Sequence, residues 1–301
     1  SVLHEMPGGY ANNARAMHGL AAKAEALGVR IISGITVKAL ESDSSHTITA
    51  VDTDRGRIEC DYAVVAAGPW VRSFWEMLEL PMEVGICNPA TREVTEGIPM
   101  WIYWSLQEGT LGVDPNLQVT NDGAMPPVIH VDTDAPLYSD EDGRLITDQL
   151  WGIYYKPDFH FGGVQGGAAP FIVDKPAADV SVDPYGPASP EFVVGAEFEE
   201  MWVSALAHCQ ERFSGTLPQF KKEPSGGIGA FTPDSFPVFD SMRENCFVIA
   251  DSNHGYKMIG VGELVAQTIC GDKPGLLDPF RFSRYAEGDL HPVSNSPFPW
   301  S

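Results

Sequence analysis

Positive charge is scarce in this chain. Its lysines and arginines number 19 against 41 aspartates and glutamates, a net charge of −22 over 301 residues. A surface of that sign repels phosphate backbones and anionic lipid headgroups, which excludes nucleic acid and acidic membranes as partners. It suits solubility, and it would draw in a cationic amine. Cysteine is sparse too. Cys60, Cys87, Cys209, Cys246 and Cys270 form no C-x-x-C pair and are odd in number, which fits a reducing compartment better than a disulfide framework. The 301 residues show no signal-peptide pattern, no apolar run of membrane-spanning length and no N-x-S/T acceptor, so a cytoplasmic location is expected. His130 and His160 stand in no ligand-spaced cluster, and no metal is expected. No serine, cysteine or histidine constellation points to nucleophilic hydrolysis. The most telling absence is glycine in one pattern: no strand followed by G-x-G-x-x-G opens the chain. Gly226-Gly227-Ile228-Gly229 leads to Thr232-Pro233-Asp234 rather than a helix, and Gly260-Val261-Gly262 falls inside a helical run.

Apolar residues are plentiful at 44%, enough to bury a core in one large domain or two medium ones. Residues 12–27 read as an amphipathic helix capped by Asn12 or Asn13. Met17, Leu20, Ala21, Ala24 and Leu27 share one face, and Gly28 ends it. Strands are expected at Val29–Ser33 and Ile35–Leu40, and a hairpin at 47–53 and 57–61 around Asp54-Arg55-Gly56. The run Ala63–Ala67 reads as a strand buried on both faces, typical of a parallel sheet. Gly68 and Pro69 stop it, and a helix follows from about Val71 to Leu80.

Composition shifts near Pro81. From there to about residue 195 the chain is rich in Pro, Gly, Asp and aromatics, with short strands such as Met100–Leu106 and Leu150–Tyr155, the style of an antiparallel sheet with long loops. Residues 196–214 read as one helix with Phe198, Met201, Trp202, Ala205, Leu206 and Cys209 on its apolar face. After 225 the strand-turn-helix style returns, and the Pro-rich tail 291–301 reads as an extended surface strap. The fold class is α/β, α+β overall. Residues 1–80 and 225–301 form one discontinuous domain, with 81–224 inserted as a β-rich second domain.

Asn253-His254-Gly255-Tyr256-Lys257-Met258 follows the strand Phe247–Ala250 and leads into an apolar helix, Ile259–Ile269. Glycine there lets backbone approach a ligand, and the new helix N-terminus offers free N–H groups and partial positive charge. Such a junction suits a planar group that gains negative charge in reaction, a reduced flavin being one. Trp101, Tyr103, Trp104, Trp151, Tyr154, Tyr155, Phe159 and Phe161 either line an amine pocket or form sheet core. Tyr154 and Tyr155 are the pocket candidates chosen from that set.

Three stretches in order, PGGYANNARAMHGLAAKAEALGVRI into ITVKAL, GRIECDYAVVAAGPW, and FTPDSFPVFD with NHGYKMIGVGELVAQTICGD, together resemble the D-amino-acid oxidase family of FAD-dependent oxidoreductases. The likeness is to its sarcosine, glycine and dimethylglycine branch and runs from about residue 5 to 285. It implies a partial FAD-binding Rossmann-like domain with an inserted antiparallel-sheet substrate domain. It also implies a non-covalent FAD cofactor and oxidation of a small-molecule amine, N-methyl amine or amino acid derivative. Carried over, Val37 brackets the adenine, Ala67 and Gly68 lie near the adenosine and pyrophosphate, and Ile228 follows a flavin-approaching glycine stretch. His254, Gly255, Tyr256 and Lys257 run under the flavin, with Lys257 facing substrate or the flavin edge. The family's full chain is longer. With Ser1 in place of methionine and no fingerprint, this chain is expected to be a C-terminal portion completed by a missing N-terminal FAD-binding part, possibly a separate chain. The chain also departs from the family. Gly227 stands where some relatives attach FAD through cysteine, and Gly229 where others bind a carboxylate with arginine. Residues 162–167 lack the lysine and histidine that some relatives carry on the inner substrate strand. The alternative is a non-catalytic binding or structural subunit that keeps the fold without a complete cofactor site.

Overall fold

The computed structural model describes residues 12–290, apart from 120–121, 125, 127, 159–161, 169–170, 173–174, 183–194, 222–224 and 251–257. It divides into two compact units. A sheet unit comprises residues 1–35, 107–169 and 193–225, and an α/β unit comprises 36–106, 170–192 and 226–301. These units part from the compositional division at 1–35, 81–106 and 170–192.

The sheet unit opens with α1 (Asn13–Ala26). The Asn12 side chain accepts from the Arg15 N–H at 3.0 Å and caps it, satisfying one of the free donors of its first turn. The helix forms as its periodicity requires, yet its apolar face is exposed at Met17, Leu20 and Leu27. The strand expected at Val29–Ser33 is absent, and Val29, Ile31 and Ile32 are also exposed. A strand needs a neighbour for its N–H and C=O groups, and no described element supplies one.

In the α/β unit, β1 (Val37–Ser42), β2 (Ile48–Thr53) and β3 (Gly56–Glu59) form an antiparallel meander. The β2–β3 hairpin turns at Asp54-Arg55, with Thr53 opposite Gly56. β4 (Ala63–Val65) follows, ending in a single 3-10 turn at Gly68–Trp70 and then α2 (Val71–Met77). Two further strands, β5 (Glu83–Cys87) and β6 (Val94–Pro99), pair antiparallel.

The long strand β7 (Ile102–Leu111) gives its first half to the α/β unit and its second half to the sheet unit. In the sheet unit, β8 (Ile129–Thr133) is followed by the small ribbon β9 (Leu137–Tyr138) and β10 (Leu145–Thr147), then β11 (Trp151–Asp158) and β12 (Gly163–Ala168). The antiparallel order is β7-β12-β11-β8, and β13 (Phe171–Ile172) pairs with the start of β7. α3 (Ala196–Cys209) packs on one face of this sheet through Phe198, Trp202, Val203, Ala205 and Leu206, against Leu111, Trp151, Ile153, Tyr155 and Val164. The single helix expected over 196–214 breaks at Gln210, whose extended backbone leads to a 3-10 turn at Glu211–Phe213.

The α/β unit closes with β14 (Ser225–Phe231), β15 (Val238–Arg243), β16 (Cys246–Ala250), α4 (Met258–Ile269) and the short α5 (Arg284–Glu287). β15 and β16 form a hairpin, and β16 pairs parallel with β4. Asn245, in the hairpin turn, accepts from the Ile48 N–H at 2.9 Å and donates to the Ile48 and Asp61 carbonyls, tying the meander and the parallel pair together. α4 packs through Val265, Val261 and Leu264 on Phe247, Ile249 and Phe239. Ala63 and Val65 are buried, but Val64 is 46% exposed. The strand expected to be covered on both faces is therefore covered on one.

Candidate functional site

The two sequence-chosen tyrosines are neighbours on β11, so they point to opposite faces of the sheet. Tyr155 faces α3. It is buried, its ring meets Phe213 edge-on at 6.0 Å, and its hydroxyl accepts from Gln210 at 2.6 Å. Burial lifts its phenol to about 12. A cavity of about 590 Å³ opens beside it, lined by Leu117, Ile129, Val164 and Gln210 among others.

Tyr154 faces the other way, onto the polar side of the sheet. The pairing register sets Tyr154 opposite Gly167 on β12, and Gly167 opposite Glu108 on β7. A Cβ on Gly167 would stand 2.7 Å from the Tyr154 hydroxyl and 2.8 Å from its ring. Glycine at that point lets the tyrosine lie across one strand and reach the next. Its hydroxyl donates to Glu108 Oε1, while Gln165 Nε2 donates to Glu108 Oε2 at 2.9 Å. His130 stacks on the Tyr154 ring at 5.6 Å with planes 25° apart. Burial and the adjacent Glu108 carboxylate push the Tyr154 phenol well above its ordinary value, so it stays a donor at neutral pH. The structure thus separates Tyr154 from Tyr155 and joins Tyr154 to Glu108, Gln165 and His130. Sequence reasoning missed Glu108. Its link to Tyr154 crosses two strand pairings, which no local pattern reveals.

The remaining aromatics divide. Trp101 and Tyr103 are buried in the α/β core, and Trp151 in the sheet-unit core. Trp104 meets Phe231 at 6.4 Å. Tyr103 donates to the Pro69 carbonyl at 2.8 Å, bracing the turn after β4. Phe159, His160 and Phe161 lie outside the described residues, as do His254, Gly255, Tyr256 and Lys257.

The four described cofactor candidates all belong to the α/β unit. Val37 is the first residue of β1 and half-buried. Ala67 and Gly68 lie just past the end of β4, at the carboxyl edge where α/β folds hold ligands. Gly68 has φ +53°, and a Cβ built there meets nothing within 4 Å. Ile228 is buried in the core, so only its backbone can face a ligand. In the first turns of α4, Gly260 and Gly262 likewise have open space where a Cβ would stand. Bare backbone at the end of β4 and at the start of α4 fits a flat ligand that needs close approach.

The Thr232-Pro233-Asp234 stretch has a different role. Asp234 and Arg284 form a buried ion pair, with Nε and Nη2 each 2.8 Å from a carboxylate oxygen. Nη2 also donates to the Phe236 carbonyl at 2.9 Å, and Thr232 Oγ1 donates to the same carbonyl at 2.6 Å. This motif braces the turn after β14, where Ser235 has φ +60°.

Residues 2–95 match the family model DAO, described as FAD dependent oxidoreductase. No curated protein matches the chain. Among solved structures, L-proline dehydrogenase from P. horikoshii aligns with a TM-score of 0.61 and 20% identity, over 92% of this chain and 61% of that one. Modified fructosyl peptide oxidase from Aspergillus nidulans gives 0.57 and 16%, over 94% and 63%. Glycine oxidase from Geobacillus kaustophilus gives 0.55 and 17%, over 89% and 56%. The fold is shared with FAD-dependent oxidoreductases. FAD is the cofactor that the matched family's description names. The chain spans about three fifths of the length of the structures it matches.

Proposed function

We propose that this chain is the C-terminal part of an FAD-dependent oxidoreductase acting on the C–N bond of an amine, N-methyl amine or amino acid derivative. The observation that carries the reading is the family match at 2–95, joined to a fold match over nine-tenths of the chain. FAD would supply the acceptor, at its N5, for a hydride equivalent from the carbon beside nitrogen, and the substrate would become an iminium that water hydrolyses to amine and carbonyl. Val37, Ala67, Gly68 and the backbone at Ile228 would hold it, together with His254, Gly255, Tyr256 and Lys257, which the motif carries over. Lys257 would supply positive charge to substrate or to the flavin edge. Tyr154 and Glu108, on the polar face of the sheet unit, would orient the amine, and Tyr155 would support that strand from behind.

Completion by an N-terminal FAD-binding portion, in the same or a separate chain, is part of the reading. Its supports are the absent glycine fingerprint, the three-fifths span, and the exposed apolar residues Met17, Leu20, Val29, Ile31 and Ile32. The absent fingerprint also keeps open a scaffold subunit without catalysis. One experiment separates the two. The chain is purified alone and together with the upstream coding region, and flavin absorbance and amine-dependent turnover are measured. Alone it should retain little FAD, because these 301 residues carry no glycine fingerprint to cradle the pyrophosphate. The completed protein should be yellow, and acid precipitation should release the flavin into the supernatant. A colourless, inactive completed protein would overturn the enzyme reading in favour of the scaffold.

A further inference from the structure

We propose that the cavity on the helix side of the sheet unit, beside Tyr155, is a binding site for an uncharged aromatic molecule that both donates and accepts a hydrogen bond. This site does not rest on the flavin reading, because Tyr154, the tyrosine assigned to the amine, points to the opposite face of the same strand.

The break in α3 shapes the cavity. The helix ends at Cys209, and Gln210 runs extended (φ −147°, ψ 114°) into the 3-10 turn at Glu211–Phe213. That turn and the one at Pro115–Gln118 wall a space of about 590 Å³ over Tyr155, Val164 and Ile129, on the neighbouring strands β11, β12 and β8. Pockets for drug-sized molecules run to about 300–1,000 Å³. Leu117, Ile129, Val164 and Phe213 give apolar walls, which suit an aromatic ring.

Two polar groups on the wall have hydrogen-bonding capacity left over. Gln118 is 5% exposed, and its Nε2 donates to the Gly163 carbonyl at 2.6 Å. A carbonyl only accepts, so the amide orientation is fixed and Oε1 is the end left over. It takes no hydrogen bond from a described residue. Among the described residues, the side-chain polar atoms that are both sealed and unpaired are the indole nitrogens of Trp101 and Trp202. Gln118 Oε1 therefore meets open space, and Gln118 lines the cavity. The Tyr155 hydroxyl accepts from Gln210 at 2.6 Å and keeps its own proton to give. A carboxamide, which offers an N–H and a carbonyl together, satisfies both groups. The cations of the wall are engaged: Arg212 donates to the Val119 carbonyl at 2.8 Å, and Lys156 to Asp158 at 3.3 Å. Glu211 is exposed to water. An ionic ligand would lose its hydration against apolar walls without a dedicated counterion.

The test titrates naphthamide and naphthoate, one ring system with a neutral and an anionic head, into the 301-residue chain by calorimetry. Naphthamide should bind saturably, and naphthoate about tenfold or more weakly. Tyr155→Phe keeps the ring and removes the proton. It should weaken naphthamide about three- to tenfold, the scale of one neutral hydrogen bond. Tyr138→Phe, the same change at an exposed tyrosine of β9, should bind as wild type. In the wild type, the methyl resonances of Ile129 and Val164 should shift on naphthamide addition, a readout that stands even if Tyr155→Phe fails to fold. No saturable binding, naphthoate as tight as naphthamide, equal binding by Tyr155→Phe and wild type, or unmoved methyls at 129 and 164 would each overturn the proposal. Flavin content does not enter the readout, so this site and the oxidoreductase reading stand or fall separately.

Discussion

Position 167 shows how little room the polar network has. The Cβ of an alanine there would sit 2.7 Å from the Gln107 carbonyl oxygen as well as against the Tyr154 ring. The carbonyl is backbone and cannot swing away, so the ring must move and the donor to Glu108 is lost. Gly167→Ala should therefore destabilise the sheet unit by about 1–3 kcal/mol. Urea denaturation checks this, and an unchanged midpoint would mean the strand relaxes freely. At this scale the sequence was partly legible. Tyr154 stood out because aromatics on a strand invite a role. Tyr155 stood out for the same reason, yet it faces the helix side, because adjacent strand positions alternate and no count of aromatics says which face is which. Glu108 had no mark at all. The significance of Asp234 was visible as a motif, but its partner, 50 residues later, was not.

Between elements, that partner decides how the end of the α/β unit is held. The Asp234–Arg284 pair joins the turn after β14 to α5, and both side chains are almost fully buried, at 3% and 2% exposure. Removing one partner leaves a buried charge uncompensated, a loss of about 3–5 kcal/mol. Asp234→Ala should show that loss in denaturant, and adding Arg284→Met should recover much of it. Additive losses in the double variant would mean that the two groups act separately. Elements with strong local signals were read well. The capped helix at 13–26, the hairpin turning at Asp54-Arg55, the strand at 246–250 and the helix at 258–269 all follow from periodicity and turn chemistry. Those that depend on a neighbour were not. Val29–Ser33 has the composition of a strand and lacks the pairing, and β4 has the composition of a doubly covered strand and leaves Val64 open.

At the scale of the molecule, burial raises four phenols among the described residues. Tyr103 and Tyr155 rise to about 12, and Tyr154 and Tyr285 rise further. Because the folded state holds these protons more tightly than the unfolded chain, their contribution to stability is complete below the ordinary tyrosine value of 10. For Tyr103 and Tyr155 it is lost as pH climbs through about 12, and for Tyr154 and Tyr285 at higher pH still. Alkaline titration followed by tyrosinate absorbance should show these four ionising together with loss of circular dichroism, after the exposed tyrosines. Smooth ionisation of all tyrosines with the fold intact would contradict the burial. Tyr103 and Tyr285 lie in the α/β unit and Tyr154 and Tyr155 in the sheet unit, so two steps would report two independently melting bodies.

The arginine at 284 also fixes where the chain can be shortened. Its guanidinium donates to the carbonyls of Phe280, Arg281 and Phe236 besides holding Asp234, so one side chain closes a loop of some fifty residues. An expression boundary placed before it would remove only the tail of the sequence, yet it would strand a carboxylate in the interior half a domain away. For anyone trimming this protein for crystallisation or fusion, the usable terminus is set by that clasp and not by the last strand of the sheet.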